Sequence, residues 1–114
     1  MNKYTKLSDF EINRRIAEID TKNRYVYFEK EQTIFRKFNN GQTQKFNPCN
    51  YPSDAWQLTL EAKLSIHPDF NNDCESWIVR NIHIPMVNEA KLSRGISIAY
   101  LLMKDAENET NNKR

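Results

Sequence analysis

A chain of 114 residues, 39% hydrophobic and 28% charged, is long enough for one domain around a single modest core. Its 17 Lys and Arg against 15 Asp and Glu leave a net charge of +2, scattered along the chain, so no basic run marks it as a nucleic-acid binder. The segment Met1 to Ile19 is polar and the longest apolar run, Ile98 to Met103, is far too short to span a bilayer, so neither an export signal nor a membrane anchor is expected. The two cysteines, Cys49 and Cys74, are accordingly expected as reduced thiols in a cytoplasm.

The start signals of a first helix are unusually complete. Ser8 can cap, Glu11 stands three residues later as its reciprocal partner, and Leu7 and Ile12 occupy the positions of a hydrophobic staple. Ile12, Ile16 and Ile19 continue at helical spacing, which predicts a helix over residues 8 to 20. The period then changes. Asn23 to Glu29 and Gln32 to Phe38 are rich in aromatic and β-branched residues, and Asn39-Asn40-Gly41 supplies a turn before a short strand from Gln42 to Phe46. The three predict an antiparallel meander.

Asn47-Pro48 ends that pattern, and a second helix is predicted from Pro52 or Ser53 to Lys63, with Trp56 as a core anchor. Leu64-Ser65-Ile66 reads as a strand end or packing tail, and residues 67 to 73 as a loop. Ser76 to Ile84 alternates as a further strand that Pro85 stops, and the last helix is predicted from Glu89 to Ala106. Its stripe is Leu92, Ile96, Ala99 and Met103, widened by Ile98, Leu101 and Leu102. Residues 1 to 106 are read as one α+β domain, its last helix packed on the sheet, and residues 107 to 114 as a disordered polar tail.

The densest stretch is Cys49 to Trp56, "CNYPSDAW". One reading is structural: Asn50 or Ser53 caps the second helix, Pro52 preorganises its first turn, and Asp54 complements the helix dipole. The other is a polar socket. A helix start with free N–H groups, flanked by Asn50, Ser53 and Asp54, suits a phosphate, ribose or carboxylate, with Tyr51 or Trp56 stacking on a ring. Arg94, at the head of the most apolar part of the last helix, either pairs with Asp54 or Glu61 or completes that socket as a charged clamp. The candidate ligand-binding set is therefore Asn50, Tyr51, Ser53, Asp54, Trp56 and Arg94.

Cys49, His67, Cys74 and His83 include no closely spaced ligand pair, so no metal site is expected. Ser53-Asp54 has no local histidine, and Gly41 and Gly95 are the only glycines, too few for a phosphate loop. Neither a catalytic residue nor a cofactor is assigned, and an enzyme is not expected.

The motif "FNPCNYPSDAW", followed by "EAKLSI", a strand bearing Trp77 and "LSRGISIAYLLMKDAE", resembles the NinX family of phage and prophage proteins, and "KLSDFEINRRIAEI" fits its amino-terminal helix. The match spans nearly the whole chain and is weakest in the middle strands and at residues 67 to 75. Gln57 stands where that family often has proline, and Gly95 and Ile96 where it has small alanines. The resemblance implies a phage origin and a bacterial host cytoplasm, and it carries no enzymatic activity with it. Two function classes follow. The first is a non-catalytic binding protein that sequesters a host protein or a nucleotide-like small molecule, with counter-defence as a candidate effect. Its protein interface, or homo-oligomer, would use the aromatic faces of Tyr25, Tyr27 and Phe35. The second is a nucleic-acid accessory factor for phage replication or recombination, using Arg14, Arg15, Lys22 and Arg24 with Tyr25 and Tyr27 as stacking groups.

Overall fold

The computed structural model describes residues 2–72 and 75–112; the expectation for Cys74 lies outside them. Helix α1 spans Asp9–Ile19, and the Oγ of Ser8 accepts the Glu11 N–H at 3.1 Å, satisfying one of the donors a helix start leaves open. Phe10, Ile12, Asn13, Ile16 and Ala17 form its buried face.

Strands β1 (Arg24–Phe28), β2 (Thr33–Lys37) and β3 (Thr43–Lys45) make the antiparallel meander, in the order β1-β2-β3. Tyr25 lies opposite Arg36, Tyr27 opposite Ile34, and Arg36 opposite Gln44. Successive side chains alternate across a sheet. Ile34 is buried and Tyr25 and Tyr27 pack on the core, so these three and Arg36 share the inner face. Phe35 points outward. The aromatic surface expected from Tyr25, Tyr27 and Phe35 is thus divided between opposite faces of the sheet.

Helix α2 spans Pro52–Ala62. Ala55, Leu58, Thr59 and Ala62 are its buried stripe, with helical spacing that leaves Trp56 on the flank, 53% exposed. The expectation that Trp56 anchors the core is corrected accordingly. Lys63 closes the helix in the left-handed region, at φ 54°.

The further strand proves to be the middle of a second sheet. Strand β4 (Ser65–Pro68) pairs antiparallel with β5 (Trp77–Arg80), which pairs with β6 (Val87–Glu89). A 3-10 turn occupies Phe70–Asn72 inside the expected loop. Strand β5 ends four residues before the predicted limit because Asn81 starts a turn, its Oδ1 accepting the His83 N–H at 3.0 Å and its C=O accepting the Ile84 N–H at 3.2 Å. The connection between β4 and β5 is held by Asp69, which accepts from Ser76 Oγ at 3.0 Å and from Asn88 Nδ2 at 2.5 Å.

Helix α3 runs Leu92–Asn112, starting three residues later than predicted and continuing six past Ala106. The stretch read as a disordered tail is helical as far as Asn112. Ile96, Ile98, Ala99, Tyr100, Leu101 and Met103 are buried, and α3 packs on α1, α2, β5 and β6. A Cβ on Gly95 would stand 3.3 Å from both Val79 Cγ2 and Glu89 Cβ, so the missing side chain lets the helix lie close on the second sheet.

Candidate functional site

The six candidate residues separate into distinct environments. Arg94 is the hub of the first. Its Nη1 donates to Asp9 Oδ1 at 2.6 Å, its Nη2 to the C=O groups of Thr5 and Leu7 at 2.8 and 2.9 Å, and its Nε stands 3.4 Å from Glu89 Oε1. The partners are Asp9 and Glu89, where pairing with Asp54 or Glu61 was expected. Asn50 joins through the same carboxylate: its Nδ2 donates to Asp9 Oδ2 at 3.2 Å and to Asn47 Oδ1 at 2.9 Å, and its Oδ1 accepts from Lys91. Burial pushes the Asp9 carboxyl up, but the bonds from Arg94, Lys91 and Asn50 outweigh it and hold the group below its ordinary range. Asn50 and Arg94 do meet, then, across Asp9. Each is occupied by protein groups, and the cluster ties the approach to α1 onto α3.

Cys49 lies beneath this cluster, fully buried, with its N–H donated to Asn13 Oδ1 at 3.1 Å. Burial, aided by the nearby Asp9 charge, pushes its thiol up to about 12, opposite to what a nucleophile needs. His67 Nε2 lies 3.3 Å from Ser65 Oγ, and both side chains are exposed. Among the described residues no three His, Cys, Asp or Glu side chains gather as a cation site, and no helix is long and apolar enough to cross a membrane.

Ser53 and Asp54 belong to a second environment. Tyr51, at the N-cap of α2, makes no side-chain capping bond. Asp54 instead reaches back, accepting the Asn47 N–H at 2.9 Å. Both residues line a cleft of about 840 Å³ bounded by the end of α1, the inner face of the first sheet, α2 and α3. Asn50, Tyr51, Trp56 and Arg94 do not line it.

The residue that gives this cleft its chemistry, Arg36, was not foreseen. Its guanidinium carbon lies 5.2 Å from the Phe46 ring centre and 5.9 Å from that of Tyr25, and the rings themselves are 5.0 Å apart. Its Nε is buried with no hydrogen-bond partner, and Arg36 makes no ion pair among the described residues. The cleft acids are already engaged. Asp20 accepts from Tyr25 Oη at 2.5 Å, from Asn23 Nδ2 at 2.8 Å and from the Lys22 N–H at 2.8 Å. Asp54 holds Asn47, and Glu61 pairs with Lys104 at 3.7 Å. Burial and the bond to Asp20 push the Tyr25 hydroxyl up to about 12 against the opposing pull of Arg36, so it stays a neutral donor. The sequence signal for Arg36 is its period-two relation to Ile34, which puts it inward once Ile34 is placed in the core.

The basic residues proposed for nucleic acid are used separately. Arg14 pairs with Glu29 at 2.6 Å, Arg15 lies 5.8 Å from the Tyr4 ring centre, and Lys22 lines the cleft.

No curated protein and no solved structure matches this chain. The family model described as Bacteriophage P22, NinX matches residues 3–104, which takes in α1, both sheets, the "CNYPSDAW" motif and most of α3. The chain belongs to the Bacteriophage P22 NinX family.

Proposed function

We propose that this phage-family protein is a non-catalytic binding module that takes a small nucleotide-like ligand into the cleft beside Arg36. One observation carries the reading: Arg36 lines an open cleft, makes no ion pair among the described residues, and has a buried guanidinium nitrogen, Nε, without an acceptor. A charged group short of acceptors is costly, and a ligand oxyanion set against this guanidinium would offset that cost. The first turn of α2 faces the same space without a side-chain cap, offering N–H groups and the positive end of the helix dipole. Ser53, Gln57 and Gln44 add neutral polar groups for sugar hydroxyls or base edges. The lining balances Asp20, Asp54 and Glu61 against Lys22, Arg36 and Lys104, so it suits a ligand that pairs an anionic group, set against Arg36, with polar substituents elsewhere. The sealed Cys49 supports binding without chemistry, and holding such a molecule would withdraw a host signal from use.

A second version, sequestration of a host protein, is favoured by the exposed flank of α2, where Trp56 and Leu60 stand one turn apart, 53% and 54% exposed.

Thermal-shift titration with nucleoside monophosphates and their cyclic forms tests the ligand reading. A ligand at 100 times its Kd adds about 2.7 kcal/mol of stability. That shift should vanish in Arg36→Lys, which keeps the charge but loses the planar fork. No shift with any nucleotide, or one that survives Arg36→Lys, removes the cleft as the site.

A further inference from the structure

We propose a second binding surface, separate from the cleft: the outer face of the first sheet takes single-stranded nucleic acid. The strand register builds this surface from residues that are scattered in sequence. Arg24, Lys37 and Thr43 lie side by side in one row, Val26, Phe35 and Lys45 in the next, and Phe28 and Thr33 in the last. Alternation puts all of them opposite the buried Ile34, hence outward. The three strands bring together three cations and two phenylalanines that no run of sequence shows.

Each group is available. Arg24, Lys37 and Lys45 are exposed, and none forms an ion pair among the described residues. No Asp or Glu occurs in any of the three strands. The neighbouring acids, Glu29 and Glu31, sit in the turn at the Phe28 end, where Glu29 is paired with Arg14 at 2.6 Å. Positive charge therefore collects at the opposite end of the sheet, where the turn from Phe38 to Gln42 carries no charge. Phe28, 44% exposed, meets Phe35 edge to face with ring centres 5.6 Å apart.

Charge and shape together select the occupant. Three uncompensated cations call for a polyanion, and the phenylalanine pair beside them calls for flat apolar groups carried on it. Unpaired bases on a phosphate chain supply both, whereas duplex bases are stacked on one another and cannot lie on the rings. An acidic protein would satisfy the cations with no need of stacking.

Fluorescence anisotropy of the full chain with labelled oligo-dT, oligo-U and a duplex of equal length tests this. Both single strands should bind and the duplex should bind more weakly; a difference between dT and U reports whether DNA or RNA is preferred. With three phosphate contacts, affinity should fall about twentyfold between about 50 and 200 mM salt. Phe28→Ala should weaken binding roughly fivefold to a hundredfold, as loss of one stacking platform does. Lys37→Ala/Lys45→Ala should weaken it and flatten the salt dependence, whereas Lys6→Ala/Arg80→Ala removes the same charge elsewhere and should leave binding within about twofold. Circular dichroism and thermal melts check that each variant is folded. No binding of either single strand up to about 100 μM at low salt overturns the proposal. So does binding that Phe28→Ala leaves unchanged, because charge alone would then explain it. Loss of nucleotide binding in Arg36→Lys with oligonucleotide binding intact separates this face from the cleft.

Discussion

Replacing Arg94 by alanine is expected to be among the most damaging single changes outside the apolar core. The Arg94 side chain is 15% exposed, and its guanidinium makes four polar contacts, two to backbone carbonyls of residues preceding α1, one to Asp9 and one to Glu89. Hydrogen bonds involving a charged group contribute about 1.5–3 kcal/mol each, and stripping a buried ion pair of one partner costs about 3–5 kcal/mol. Asp9 is a third exposed and keeps Lys91 and Asn50 as partners, so the lower part of that range applies. The expected loss is about 3 kcal/mol, which for a domain of this size lowers Tm by about 12 °C. Chemical denaturation with urea measures it directly. Arg94→Lys should recover roughly half, because a point charge can meet Asp9 but cannot fork to two carbonyls. A double-mutant cycle with Asp9→Ala should return a coupling of about 1–2 kcal/mol. If Arg94→Ala lies within about 1 kcal/mol of wild type, or the coupling with Asp9 is absent, the contacts described are not what hold the first helix in place.

Stability should fall as acid is added, in a defined window. Asp9 is held low by Arg94, Lys91 and Asn50 against the opposing effect of burial, and Asp69 is held low by Asn88 and Ser76. A carboxyl whose native pKa lies below its unfolded value of 3.8 stabilises the fold above that value, and the contribution fades as pH drops from about 4 through the lowered native values. Urea midpoints between pH 7 and 3 should show this decline, and Asp69→Asn should make it shallower; an unchanged slope would assign the acid sensitivity to other groups. Trp56→Ala should cost no more than about 1 kcal/mol, against about 3–5 for a buried tryptophan, because its ring stands half in solvent. A loss in the core range would place the side chain inside.

Much of the fold is local and was readable as such. Ser8 and Glu11 declare the first helix, and Asn39-Asn40-Gly41 declares a hairpin, because caps and turns are decided by residues a few positions apart. The second sheet was not readable in full, since Val87–Glu89 is too short to show a period and joins a sheet only because β5 offers it an edge. Trp56 was misplaced because size suggests burial, while the stripe of Ala55, Leu58, Thr59 and Ala62 decides which side of α2 is covered. The candidate site divided for a related reason. Asn50, Ser53 and Asp54 are neighbours in sequence, yet the turn before α2 directs Asn50 toward Asp9 and the other two toward the cleft. Arg36 escaped notice because its meaning depends on which face of the meander is inward, and that is fixed by α1 packing on β2.

The link between Tyr4 and Asp105, 101 positions apart and 2.5 Å long, has a consequence for how the molecule comes into being. Helix α1 covers its apolar side partly with α3, which is synthesised after both sheets. At ordinary translation speeds the first helix waits roughly ten seconds for that partner. Throughout that interval Ile12 and Ile16 have no finished interior to enter, so the newborn chain is most exposed to chaperones and proteases before α3 has left the ribosome.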